Sequence, residues 1–210
     1  MEPEARHDFS LLETMRLQDG HIVRRVGHLS RVAAAARANG FAWDDGRVAA
    51  ALDAAAATRP AGRWRVRLLL PASGEPTVEC TAFPPASERP WKIGFAVDPV
   101  DEDDPFLRIK TTRRHVYDAA RDARPGLDDV VLWTRGGEIT ESTIANVVVE
   151  LDGALYTPPS TGPFLCGVFR EELLQSGRIT ERAILKAEAA SAPRVWLVNS
   201  LREWIEAEWT

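Results

Sequence analysis

Two Asp-Gly dipeptides, Asp19-Gly20 and Asp152-Gly153, stand in opposite halves of the chain, each between runs rich in apolar residues. Asp-Gly accepts the left-handed backbone of a two-residue turn, so each dipeptide predicts an antiparallel hairpin. The strands predicted around the first are Phe9 to Leu17 and His21 to Val26. Around the second they are Thr143 to Leu151 and Ala154 to Thr157. Hairpins in both halves, with helical segments between them, point to a mixed α+β fold in two lobes.

The helical segments are read from period and caps. From His28 to Asn39, residues Leu29, Val32, Ala33 and Ala36 share one face, and Gly40 stands where a left-handed cap belongs. Asp44 or Asp45 can cap a second helix carrying Val48, Leu52 and Ala55. Arg63 to Leu68 alternates strictly, one face wet and one buried. Thr77 to Phe83 and Trp91 to Val97 are further strands. Asp98 to Pro105 is acidic, carries two prolines and lacks periodicity, as an interdomain segment does. The predicted division is residues 1–98 as a small N-terminal α+β lobe, 99–109 as linker and 110–210 as a C-terminal lobe. The second lobe holds helices at about Thr112–Ala123 and Gly167–Gln175, and strands at Asp129–Trp133 and Val195–Val198.

Composition excludes several classes. Hydrophobic residues make up 45% and charged residues 27% of 210 residues, which suits a packed core. The net charge of −5 gives no electrostatic footprint for nucleic acid. No apolar run has the ~18–20 residues of a membrane helix, and Met1–His7 is too charged for a signal peptide. Two cysteines, Cys80 and Cys166, form no disulfide framework and point to a reducing cytoplasm. His7, His21, His28 and His115 have no metal-ligand spacing, with each other or with the cysteines. The glycines match neither GxGxxG nor a Walker loop.

Lysine is rare: of 26 basic residues only Lys92, Lys110 and Lys186 are lysine. A lysine that persists where arginine is preferred is a candidate for chemistry that arginine cannot do. Lys92, in an alternating strand, and Lys186, in a polar stretch, read as solvated side chains. Lys110 ends the apolar run Phe106–Ile109, and the residues alone leave both a surface and a catalytic reading open. Arg31 is equally open between a snorkelling helix residue and an anion contact. Glu141 could belong to a turn, with Thr140 and Ser142 bonding locally.

Taken together in order, seven segments carry a resemblance: Leu12–Arg16; His28–Val32; Lys110–Arg114; Glu138–Asn146; Tyr156–Pro159; Gly167–Arg170; and Val198–Arg202. They resemble the fold-type IV pyridoxal-phosphate enzymes, the family of branched-chain and D-amino-acid aminotransferases and of 4-amino-4-deoxychorismate lyase. The resemblance runs from about Phe9 to Trp204. It implies a small N-terminal α/β lobe, a larger C-terminal lobe with a barrel-like, mostly antiparallel sheet, and pyridoxal 5′-phosphate as cofactor. The cofactor would lie between the lobes. Lys110 matches the lysine that binds the cofactor aldehyde covalently. Glu141 matches the glutamate facing the pyridine nitrogen. Arg31 matches a bidentate partner of the cofactor phosphate. Val168 and Phe169 match two residues at a helix start whose N–H groups point at that phosphate, and Ser200 matches a hydroxyl donor to it.

The same resemblance leans toward the lyase branch, which makes 4-aminobenzoate and pyruvate for folate synthesis. Lys110 would take the ring proton, Thr14 would relay a proton to the leaving enol, and Arg113 and Arg114 would meet the substrate carboxylates. A solvated helix start is the equal alternative for that arginine pair. His115 occupies the stretch where the aminotransferase branch commonly has tyrosine, with Tyr117 further on. The family's extra N-terminal strand has no counterpart before Phe9, so a trimmed first lobe is expected. Glu203 stands where many relatives have glycine. Expected partners are a small-molecule substrate, a second copy of the chain in a homodimer, and a separate chorismate-aminating enzyme. An aminotransferase remains the alternative, as does a non-catalytic protein on the same fold, which would lack the cofactor's yellow colour.

Overall fold

The computed structural model describes residues 8–85 and 87–210; Met1–His7, read above for a targeting signal, lies outside them. The chain forms two units. One joins residues up to Pro85 with Ile109–Arg113, and the other joins residues after Ala86 up to Arg108 with Arg114–Thr210.

In the first unit, β1 (Leu11–Gln18), β2 (His21–Ile22), β3 (Arg63–Leu70) and β4 (Thr77–Ala82) form one antiparallel sheet in the order β2-β1-β3-β4. Asp19 (φ 48) and Gly20 (φ 80) make the expected turn. The returning strand is shorter than expected. Arg24 takes φ 58, and α1 (Arg25–Asn39) starts directly after it. Gly40 caps α1 at φ 71, and Asp44 caps α2 (Asp45–Ala57) by accepting from Arg47 N at 3.0 Å. The β1 face carrying Leu11, Met15 and Leu17 packs with Val66, Leu68 and Leu70 of β3 against Val32, Ala36, Val48 and Leu52. Burying each such aliphatic side chain stabilises the unit by about 1.5–3 kcal/mol.

The segment containing Lys110 belongs to this unit. Leu11 bridges Thr111, Leu12 N donates to Lys110 O at 2.9 Å, and Thr112 N donates to Ser10 O at 2.9 Å. It therefore runs antiparallel along the β1 edge that β3 leaves open.

The second unit contains β5 (Trp91–Phe95), α3 (His115–Asp122), β6 (Asp129–Trp133), β7 (Ile139–Ser142), β8 (Asn146–Leu151), β9 (Ala154–Thr157), α4 (Val168–Gln175), β10 (Thr180–Glu181), α5 (Lys186–Ser191), β11 (Arg194–Asn199) and β12 (Glu203–Trp209). The strand order is β10-β9-β8-β11-β12-β5-β6-β7, and β7 pairs back onto β8, which closes a barrel. Antiparallel pairs predominate, with β12–β5, β5–β6 and β9–β10 parallel. Ile93, Val131, Ile139, Val147, Val149, Leu197 and Ile205 share one core. Val148 and Val198, on the opposite side of their strands, pack with Phe169 and Leu173 of α4.

Three readings change. The strand expected over Trp91 to Val97 in the first lobe spans Trp91–Phe95 and pairs with β12 and β6 in the second unit. The segment 109–113 was placed with the linker and second lobe, but it bonds to β1. The strand expected from Thr143 begins only at Asn146, because Ser142 N donates to Ala145 O at 2.7 Å and makes 143–145 a turn.

Candidate active site

The sequence-predicted residues fall into two groups, one in each unit. In the first unit, β1 alternates. Glu13 lies on the core side with Leu11 and Met15, while Leu12, Thr14 and Arg16 lie on the other side. Thr111 stands opposite Leu11, so Lys110 stands opposite Leu12 and falls on the same face as Thr14. Across β3, Thr14 pairs with Arg67 and Arg16 with Arg65. Two arginines directly opposite each other repel, and Glu79 of β4 stands opposite Arg67 across the other edge of β3. Arg67 Nε is buried and has no hydrogen-bond partner among the described residues. Lys110 is half-buried. Arg16, Arg65 and Arg67 were not singled out from the sequence. Their signal was the Arg63-Arg65-Arg67 alternation, read only as a wet face.

Arg31 sits on the other side of the sheet. Its Nε donates to Glu13 Oε1 at 2.8 Å and its Nη2 to Oε2 at 2.6 Å, while His28 Nδ1 lies 2.7 Å from Oε2. The bidentate edge of the guanidinium is thus committed to Glu13, and any phosphate contact must use the remaining donors. Burial opposes a charge on Glu13. The Arg31 charge and the His28 and Arg31 hydrogen bonds outweigh it and lower the carboxyl from 4.5 to about 2.

In the second unit, Asn146 organises the site. It is Glu141's partner across β7 and β8. Its Nδ2 donates to Leu165 O at 2.8 Å and its Oδ1 accepts from Gly167 N at 3.0 Å. A Cβ at Gly167 would stand 2.2 Å from that oxygen, so only glycine fits there. Gly167 is the N-cap of α4 and supplies no side-chain cap to the first turn, where Val168 and Phe169 lie. That leaves a helix start suited to an anion. Ser200 is buried in the turn after β11, and β11 pairs with β8 through Val198 and Asn146. Glu141, Val168, Phe169 and Ser200 therefore cluster around one end of β7, β8 and β11.

Glu141 is buried, and Tyr117 O–H donates to its Oε1 at 2.8 Å, as does Leu165 N at 3.2 Å. Burial, then the Glu141 charge, pushes the Tyr117 phenol far above its ordinary range. Arg114, a candidate substrate contact, is used within the fold: its Nη2 donates to Thr143 O at 2.6 Å, and its guanidinium stacks on the Tyr117 ring at 4.7 Å. Arg113 is exposed. Lys92 is exposed as expected, whereas Lys186 lies over the Trp133 ring at 3.5 Å. Glu203 adopts φ 64, the conformation that glycine takes without cost.

In the second unit a buried carboxylate and a glycine-opened helix start beside a hydroxyl are groups that a pyridine ring bearing a phosphate needs, and in the first unit Lys110 carries the primary amine that an aldehyde needs. The donor set fits that cofactor.

Comparison with known proteins gives the same answer. The profile described as amino-transferase class IV matches residues 10–208. A Schizosaccharomyces pombe protein provisionally named aminodeoxychorismate lyase is 29% identical over 202 residues, which is 92% of this chain and 87% of the relative. The crystal structure of a Mesorhizobium loti protein, provisionally named amino-acid aminotransferase, superposes with TM-score 0.90 at 36% identity over 97% of this chain and all of its own. A hypothetical aminotransferase from Mycobacterium tuberculosis, solved with pyridoxal phosphate bound, superposes with TM-score 0.81 at 23% identity, over 95% of this chain and 81% of its own. The chain belongs to the class IV aminotransferase family, whose cofactor is pyridoxal 5′-phosphate.

Proposed function

We propose that this enzyme is a lyase that converts 4-amino-4-deoxychorismate to 4-aminobenzoate and pyruvate in folate synthesis, as a homodimer in the cytoplasm. The observation that carries the reading is the shared sheet face of Lys110 and Thr14, set among Arg16, Arg65 and Arg67. The substrate is a dicarboxylate, and guanidinium groups on the face that carries Lys110 and Thr14 suit its carboxylates. In this reading the cofactor supplies an electron-poor ring that accepts charge freed at the substrate. Lys110 holds the cofactor aldehyde and, once displaced by the substrate amine, takes the proton from the ring carbon bearing that amine. Glu141 faces the pyridine nitrogen and keeps it protonated. The N–H groups of Val168 and Phe169, the Ser200 hydroxyl and the outer donors of Arg31 hold the phosphate. Thr14 O–H passes a proton to the departing enolpyruvyl group while the substrate ring becomes aromatic. Arg113 remains an exposed candidate for a substrate carboxylate, and Arg114 for a structural role beside it.

A second reading, an aminotransferase, is favoured by the Mesorhizobium loti relative's name at 36% identity. It uses the same Lys110, Glu141 and Arg31. Against it, His115 is exposed on the stretch where the aminotransferase branch commonly has tyrosine. The deciding experiment supplies 4-amino-4-deoxychorismate in one reaction, and an amino donor with 2-oxoglutarate in another. The expected result is 4-aminobenzoate in the first and no amine transfer in the second. Transfer without 4-aminobenzoate would reverse the assignment.

A further inference from the structure

We propose that Tyr117 is a positioning residue that holds Glu141 ionised and fixed in orientation, so that the carboxylate can keep a bound pyridine nitrogen protonated. The proposal rests on the reading that Glu141 faces that nitrogen.

Three observations carry it. The Tyr117 hydroxyl donates to Glu141 Oε1 at 2.8 Å, and both residues are buried. A neutral O–H donor favours the charged form of a carboxylate and lowers its proton affinity. Leu165 N donates to the same oxygen at 3.2 Å, so the hydroxyl adds to a donor set that favours the carboxylate, the form that can support a pyridinium. The second observation is that Tyr117 is itself fixed. Its ring packs with Leu107, Val130 and Leu132, and the Arg114 guanidinium lies 4.7 Å above it while donating to Thr143 O, two residues beyond Glu141. The turn after Glu141 is held in turn by Asp129, whose Oδ1 accepts from Thr143 N at 3.2 Å and from the Thr143 hydroxyl. The third is that the phenol cannot compete as an anion. Its environment raises it far above any working pH, so it remains a donor throughout.

Charged and titratable groups that face this pair include Arg114 and Asp104 toward Tyr117, and Cys166 toward Glu141. Burial raises the Cys166 thiol, so it stays neutral near pH 7 and adds no competing charge. Arg114 alone would pull toward ionising the phenol, but burial and the Glu141 charge outweigh it.

Tyr117→Phe is the discriminating change. It keeps the ring, its packing and the Arg114 stack, and removes only the hydroxyl. The first measurement uses apo-protein. The Glu141 carboxyl is followed by infrared difference spectroscopy across pH, with Glu141→Gln identifying its band. The midpoint should rise by about one pH unit in Tyr117→Phe. Incorporation of 3-fluorotyrosine at position 117, a stronger donor of nearly unchanged shape, should lower it. This second variant also keeps the test open if the Phe variant does not fold. A midpoint that neither change moves overturns the proposal, because a merely structural tyrosine would leave it in place. The second measurement loads the protein with ring-¹⁵N pyridoxal phosphate. The nitrogen resonance should move toward its unprotonated position in Tyr117→Phe, part of the way to that of Glu141→Gln. If the apo midpoint shifts while the ring resonance stays fixed in both variants, Glu141 does not face the nitrogen. That outcome overturns the site reading and this proposal together, whereas a shift in Glu141→Gln alone overturns the proposal only.

Discussion

Glu13 grips Arg31 with two parallel hydrogen bonds, Nε to Oε1 at 2.8 Å and Nη2 to Oε2 at 2.6 Å, beneath a sheet where Glu13 is almost wholly buried. Burial works against the charge, but the guanidinium and His28 hold the carboxyl at about 2. The folded value lies below the unfolded one, so the stabilisation is fully present above pH ~4.5 and is lost as pH falls through the folded value. Glu13→Gln should therefore cost about 3 kcal/mol near pH 7. The gap between variant and parent should narrow from pH ~4.5 down to pH ~2. Urea unfolding at a series of pH values reads this directly. A gap that does not change with pH would mean that the variant fails through packing and not through charge.

Lys110→Arg keeps the positive charge but cannot form a covalent bond with the cofactor aldehyde. The visible band of the lysine-bound cofactor should vanish and turnover should fall to background. Borohydride reduction followed by peptide mapping provides the check. A label found on Lys92 or Lys186 would move the attachment point away from the β1 edge.

Glu141→Gln removes the negative charge with almost no change of shape. Cofactor retention should survive, and kcat should fall on the order of a hundredfold, because the lost interaction strengthens as charge develops. Glu138 is exposed at the start of the same stretch, and Glu138→Gln should leave kcat within about twofold. Steady-state kinetics of the two variants side by side would reveal an assignment displaced by three residues.

Glu203 holds φ 64, a left-handed backbone that costs a side-chain-bearing residue about 1–2 kcal/mol. Glycine would escape that cost but loses more entropy on folding. The net expectation for Glu203→Gly is a gain of about 0.5 kcal/mol, measurable as a later denaturant midpoint at unchanged slope. A loss of stability would show that the Glu203 side chain contributes more than its backbone strain removes.

Local features were legible in the sequence because their causes are local. Asp19-Gly20 and Asp152-Gly153 turn as their backbone freedom dictates, Gly40 ends α1, and Asp44 caps α2. Non-local pairing was not legible. Trp91–Phe95 reads equally well as a strand of either lobe, and only its parallel pairing with β12 and β6 decides. β12 itself went unread, although Ile205 and Ala207 alternate with Glu206 and Glu208 as a half-buried strand should. At the site, the ordered resemblance pointed to Lys110, Glu141 and Val168. It could not reveal that Tyr117 reaches Glu141 from a helix 24 residues earlier, or that Glu13 occupies the edge of Arg31 expected to hold phosphate.

The chain leaves the first unit after Pro85, returns to it for Ile109–Arg113 and departs again at Arg114. Any single break in the gene therefore leaves at least one unit incomplete. A fragment ending before Ile109 would lack the stretch that bonds to the open edge of β1, and one beginning there would carry that stretch without its sheet. Domain shuffling, which needs clean module ends, is closed to this architecture. The two units must be inherited together, and the lysine proposed to hold the cofactor lies on the returning stretch that joins them in one gene.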